Sequence, residues 1–280
     1  MIAHRQTGFT LAEAIIVIVI LGILSAAAAV FIRGPVDAYF DTARRAALTD
    51  VADTAIRRIG RDLRAALPNS VRVAGACNGV GTCYLEYVPL IAGARYRAEL
   101  DNTGAGDPLD FTDNADQSFD IIGQPISIPA AGTKWVAIYN LGIPGATAYS
   151  GDSGANDVRR QYSGAGGSVS SVTFTSAVAF PFQSPARRFH IVSSPVTYAC
   201  VPSPAGGSLL RYEGYAFSAG QLTPPGGTPA VLAGSVTRCS FTYTAQQVAQ
   251  RAGLVSISLQ VSQDGEPVDL FYQVHVSNVP

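Results

Sequence analysis

Residues 8–34 read GFTLAEAIIVIVILGILSAAAAVFIRG. One carboxylate, Glu13, stands at the head of a run that holds no further charge until Arg33. As an α-helix the nineteen residues from Ala14 to Ile32 rise about 28 Å, enough for the hydrocarbon core of a bilayer. The apolar region of a secretory signal is shorter, about 7 to 15 residues, so the length favours a retained anchor over a removed one. His4 and Arg5 precede the run and argue for a cytoplasmic N-terminus, although Arg33 weakens the contrast. A charge at the edge of such a run needs headgroup water or a counter-charge, which makes Glu13 the residue to explain.

Beyond Pro35, residues 35–70 (PVDAYFDTARRAALTDVADTAIRRIGRDLRAALPNS) change from apolar to amphipathic. Val36, Phe40, Ala47, Val51, Ala55, Ile59, Leu63 and Leu67 recur every three or four residues and predict one helical stripe. Asp41 with Arg45 and Asp53 with Arg57 stand four apart with the acid first, the favourable orientation on a solvated helix face. Pro68, Asn69 and Ser70 stop the helix. The expectation is a nearly continuous helix from Phe9 to Leu67, with Gly22 and the Gly34-Pro35 pair as its weak points.

After residue 70 strand signals dominate. KWVAIYNL, SVSSVTFTSAV, RRFHIVSSPVTYACV, SLLRYEGYAF, VTRCSFTYT, LVSISLQVS and PVDLFYQVHVS are each rich in strand-favouring residues and bounded by turn formers. The last two form the clearest hairpin, with Asp264-Gly265 as its turn. Helical periodicity recurs weakly only around AQQVAQRAG, and the glycine-rich insert YSGDSGANDVRRQYSGAGGSV reads as a surface loop. The fold class is therefore α+β, a long N-terminal helix packed on antiparallel sheet.

The 280 residues carry a net charge of -1, which gives no electrostatic case for nucleic acid or an anionic membrane surface. Four cysteines allow three pairings. Cys77 with Cys83 and Cys200 with Cys239 is favoured, because CNGVGTC holds two glycines that let a short loop close; buried free thiols are the alternative. Disulfides imply an oxidising compartment for the bulk of the chain.

Catalytic signatures are thin. GDSG at residues 151–154 resembles a serine-protease nucleophile segment, but the only upstream histidine is His4, and His190 and His275 fall in strand segments. Asp101, Asp107, Asp110, Asp113, Asp116 and Asp120 lie within twenty residues; the spacing lacks the EF-hand order and fits a solvated turn-rich loop, with Ca²⁺ near Asp113 and Asp116 as the competing reading. No other cofactor is expected, and no phosphate loop, dinucleotide fingerprint or Walker motif is found. Trp135, Tyr139 and Tyr149 are the aromatics that a ligand-binding module would use.

Gly8, Phe9, Thr10, Leu11, Ala12 and Glu13, followed by the apolar run, resemble the class III signal of type IV prepilins and type II secretion pseudopilins. The resemblance implies a non-enzymatic subunit whose leader, residues 1–8, is removed by a prepilin peptidase after Gly8. Phe9 then becomes the methylated N-terminus and Glu13 the acidic residue used in assembly. Residues 9–33 would be the transmembrane assembly helix, 34–67 an amphipathic stalk helix and 68–280 a periplasmic β-rich domain. Pilin helices often carry a proline about twenty residues into the mature chain; here Ala28, Ala29 and Val30 stand there.

The stretches PVDAYFDTARRAALTDVADTAIRRIGRDLRAALPNSVRV, RRFHIVSSPVTYAC with LLRYEGYAF, and QRAGLVSISLQVSQDGEPVDLFYQVHVSNVP resemble minor subunits of the MSHA (mannose-sensitive haemagglutinin) type IV pilus system. The partners implied are the prepilin peptidase, other major and minor pilin subunits, the inner membrane and the pilus assembly machinery, with a final place at the cell surface. The J-type minor pseudopilin of type II secretion and a pilus-tip adhesin are the competing readings.

Overall fold

The computed structural model describes residues 8–175, 178–248 and 252–280. His4, Arg5 and the rest of the leader before Gly8 therefore lie outside the described residues, as do three residues of AQQVAQRAG and two of SVSSVTFTSAV. The chain divides into two compact units, one ending at Leu48 and the other beginning at Thr49.

One helix, α1 (Leu11–Arg64), the only one among the described residues, contributes to both. In the first unit it runs through Gly22 and Pro35 without interruption and is long and apolar enough to cross a membrane. Its large apolar side chains from Ile15 to Ile32 are all exposed. In the second unit the same helix buries Ala52, Ala55, Ile56, Ile59 and Leu63, a stripe at three- and four-residue intervals. Of the expected stripe Ala55, Ile59, Leu63 and Leu67 are buried, whereas Val36, Phe40, Ala47 and Val51 are exposed and Ala52 and Ile56 are inside in addition. The helix also stops earlier than Leu67. Ala65 and Leu67 turn their backbone to the corner at residues 88–90, with Leu90 N–H donating to Ala65 and Leu67 N–H to the carbonyl of Val88.

Among the described residues fifteen strands follow: β1 (Arg72–Gly75), β2 (Cys83–Tyr87), β3 (Leu90–Tyr96), β4 (Ser118–Ile122), β5 (Ile126–Ile128), β6 (Trp135–Ala137), β7 (Arg159–Tyr162), β8 (Gly167–Val169), β9 (Ser171–Thr175), β10 (Arg188–Val192), β11 (Val196–Val201), β12 (Gly207–Tyr212), β13 (Ala230–Val248), β14 (Ala252–Gln263) and β15 (Glu266–Ser277). They form a seven-stranded sheet in the order β1-β2-β11-β12-β13-β14-β15, a closed barrel β10-β3-β4-β9-β7-β6, and a ribbon of β5 with β8. Every pairing is antiparallel. This is an α+β protein.

The seven-stranded sheet follows from alternation. Along β14 Gly253, Val255, Ile257, Leu259 and Val261 are buried while the intervening Ser, Leu and Gln residues are less so. Asp264 and Gly265, both at positive φ, close the two-residue turn into β15, the conformation a type I′ hairpin requires. The weak helical signal around AQQVAQRAG gives way to this sheet, since residues 245–248 belong to β13 and Ala252 opens β14.

The barrel is filled by Phe119, Phe174, Phe189, Val136, Val172 and Ile191, with Phe119 and Phe189 edge to face at 4.9 Å between ring centroids. Two of its strands fall in or beside the insert expected to be a surface loop. β7 is the core of that insert, and its Arg159 and Arg160 are buried. Cys77 is bonded to Cys83, and Cys200 to Cys239. Cys83 and Cys200 are also cross-strand neighbours on β2 and β11.

Candidate functional site

Gly8, Phe9 and Thr10 precede α1, and all three are exposed. Thr10 caps the helix: its Oγ1 accepts the Glu13 N–H at 3.3 Å, and its carbonyl accepts the Ala14 N–H at 3.1 Å. Thr10 and Glu13 thus have the spacing of a capping box, with the carboxylate at the positive end of the helix dipole. The arrangement offers a Gly8–Phe9 peptide bond ahead of the first helical turn, an exposed carboxylate on that turn, and an uninterrupted apolar surface after it.

The last turns of α1 carry a polar joint to the sheet that sequence patterns did not single out. Asp62 Oδ2 accepts hydrogen bonds from Tyr198 of β11 at 2.5 Å and Tyr87 of β2 at 3.0 Å, and Arg211 of β12 approaches it at 3.8 Å. The two phenol rings stack with centroids 6.2 Å apart. Burial first, then the neighbouring phenol, push the Tyr87 hydroxyl far above its ordinary pKa; for Tyr198 burial is followed by Asp62 itself. Both hydroxyls remain protonated donors to one carboxylate. Gly60, two residues earlier, lets the helix close on Tyr272, whose ring carbon would lie 2.5 Å from a Cβ at that position.

A second polar knot is buried beside β1. Glu86 is 1 % exposed, pairs with Arg72 at 2.5 Å and accepts the Tyr215 hydroxyl at 2.9 Å. Arg72 lies 3.5 Å above the Tyr149 ring.

The GDSG segment is held by structural bonds. The Asp157 carboxylate accepts the backbone N–H groups of Gly151, Ser153 and Gly154, while Asp152 accepts from Trp135 Nε1 and Arg159. Arg160, fully buried, donates to the carbonyls of Gly154, Asp157, Arg159, Val178 and Ala179. Burial lowers the pKa of both arginines, that of Arg159 to about 10, so Arg159 stays charged at neutral pH. Among the described residues no hydrogen bond joins the Ser153 hydroxyl to His190 or His275.

In the acidic stretch the carboxylates cap turns: Asp101 accepts from Thr103 and Ala105, Asp110 from Thr112 and Asp113, Asp113 from Ala115, and Asp116 from Asp110 and Ser118. Asp101 and Asp110 are held below the ordinary range, chiefly by the hydroxyls of Thr103 and Thr112. Among the described residues no group of three or more His, Cys, Asp or Glu side chains is placed to hold a metal, Asp113 and Asp116 included.

The aromatics singled out for ligand binding do not form an open platform. Tyr149 is buried with its hydroxyl on the Ser70 carbonyl, Trp135 packs edge to face on Phe217, and Tyr139 leans on the barrel core.

Residues 3–29 match the prokaryotic N-terminal methylation motif. Comparison with curated proteins and with solved structures gave no match. The motif supports a type IV pilin-like or pseudopilin subunit, a structural rather than enzymatic class, processed by prepilin peptidase and assembled with pilin machinery. The long apolar helix fits a membrane-anchored member of that class.

Proposed function

We propose that the chain is a minor pilin-like subunit that is matured at Gly8–Phe9 and incorporated at low copy into a type IV pilus, in assembly initiation or at the tip. The observation that carries this reading is the junction itself: a scissile Gly-Phe pair outside the helix, a Thr10 cap, Glu13 on the first turn, and the exposed apolar surface that follows, all within the methylation motif. The leader is residues 1–8, the membrane and assembly helix 9–33, the stalk 34–67 and the exported domain 68–280, with the N-terminus in the cytoplasm and the domain in the periplasm. The later stretches of sequence favour the MSHA system, where the chain most resembles MshO; a J-type minor pseudopilin of type II secretion is the alternative. An adhesin built on Trp135, Tyr139 and Tyr149 is disfavoured because Tyr149 is buried and the other two are half-buried against other side chains.

In a packed bundle of apolar helices an unpaired Glu13 carboxylate would cost several kcal/mol, so it needs a cation. The free α-amino group of Phe9 on a neighbouring subunit supplies it. Glu13→Ala is expected to leave membrane insertion and leader cleavage intact, read by fractionation and by the mass of a chain beginning at methylated Phe9, and to abolish incorporation into sheared pili. Normal incorporation of the variant would refute the assembly role. Co-purification of the full chain with minor pilins rather than with secretion pseudopilins selects between the two systems.

A further inference from the structure

β3 and β10 place two arginines opposite one another: Arg95 is the register partner of Arg188. Cβ atoms of directly opposed residues on antiparallel strands are about 5 Å apart, and like charges so placed oppose folding. Neighbouring arginines have carboxylates to neutralise them, Arg97 with Asp120 at 3.3 Å and Arg187 with Glu99 at 3.0 Å. Arg95 and Arg188 have none; among the described residues neither guanidinium makes a hydrogen bond or ion pair.

Both face one cleft of about 640 Å³, whose lining contains no aspartate or glutamate. Its apolar wall comes from Leu90, Ile122, Pro125 and Ile126, and Gln124 and His190 bring neutral polar groups. Gly93, the register partner of His190, makes room for the imidazole, since a Cβ there would lie 3.1 Å from His190 Cδ2. Burial, and secondarily Arg188, push the His190 pKa down to about 4, so at neutral pH this ring is a hydrogen-bonding wall and the two arginines supply the charge.

We propose that the cleft between β3 and β10 binds an oxyanion, a carboxylate or sulfate held by Arg95 and Arg188 together, carried on a small organic body of about sugar size. Two guanidinium forks lining one cleft from opposed register positions suit the planar, bidentate recognition of such groups. The cleft volume falls in the range of small-molecule sites and exceeds what a bare ion fills. Gln124 and His190 are placed to meet hydroxyls, and the apolar wall to pack on a ring face. The site is independent of the assembly segment, so it stands or falls separately from the proposed function.

The test uses the full chain in a non-ionic detergent at low ionic strength, titrated calorimetrically with sodium sulfate and with glucuronate. Saturable binding is expected, weakened at least tenfold by Arg95→Gln or Arg188→Gln and unchanged by Arg187→Gln, whose guanidinium already has Glu99. Glucuronate binding more tightly than sulfate identifies the organic body as part of the ligand, whereas equal affinity identifies the free anion. Thermal melting separates binding from misfolding: without ligand Arg95→Gln should melt at or above the wild-type temperature because the like-charge opposition is relieved, and it should lose the stabilisation that ligand confers on the wild type. Absence of binding to both probes, or binding by Arg95→Gln and Arg188→Gln as tight as that of the wild type, overturns the proposal.

Discussion

Two stretches of α1 use the same side chains for opposite ends. From Ile15 to Ile32 isoleucine, leucine, valine and alanine follow one another without a polar face, and every large one is exposed; Ile18 is 69 % exposed. From Ala52 to Leu63 the same residue types are interleaved with Asp, Arg and Thr, and the apolar ones are buried; Ile59 is 0 % exposed. Hydrophobicity alone therefore does not tell where a helix goes. Periodicity does: an apolar stripe seeks a protein surface, whereas an apolar cylinder has no side to offer water and is matched to lipid.

The contrast can be broken by paired substitutions. Ile59→Asp places an unpaired carboxylate in the core and is expected to cost about 4 kcal/mol or more, enough to unfold a marginal domain in urea titration. Ile18→Asp should leave that urea transition in place and reduce membrane retention, because a central aspartate costs about 3 kcal/mol on insertion. A smaller effect is expected at the polar joint, where Asp62→Asn weakens two hydrogen bonds to a charged acceptor and should lower stability by about 1.5–3 kcal/mol. Smallest is the glycine pair. Gly60→Ala must displace the Tyr272 ring and is expected to cost about 1 kcal/mol net of improved helix propensity. Gly22→Ala meets nothing within 4 Å and should only strengthen its helix. Equal effects at the two glycines would erase the distinction between the halves.

These sites also mark what the sequence discloses. The helix, its proline and its N-terminal junction are legible because their signals are local and contiguous. The buried face is legible only to within one position, since Val51–Ala55–Ile59 and Ala52–Ile56–Ile59 satisfy the same spacing and the sheet decides between them. β14 and β15 can be read from long alternation across an Asp-Gly turn; β1 to β5, of three to seven residues, are not singled out, although length alone does not hide a strand, since β6, β9 and β10 are as short and lie in stretches that read as strand. β7 is hidden further by composition: Arg159 and Arg160 look like solvent residues, and only carbonyls and rings brought from elsewhere in the chain make them interior ones. Asp62 was unreadable for the same reason, since its partners lie 25 and 136 residues away. The Arg95–Arg188 opposition needs a strand register that no single segment encodes.

On the proposed function the chain is held in a fibre by its N-terminal helix, and tension on that helix would be handed to the rest of the chain. The Asp62 joint delivers it to β2 through Tyr87 and to β11 through Tyr198. Beyond Gly207, where the β12 ladder with β13 ends at Val236, β11 meets β13 through the bond between Cys200 and Cys239. Cys239 N–H also donates to Gly79, inside the loop that Cys77 and Cys83 close. Load leaving the helix in such a fibre would cross two phenols, enter adjacent strands and pass by a covalent bond into the long hairpins. A reducing agent should convert this stiff transmission into one in which β13 can peel from its neighbours under pull.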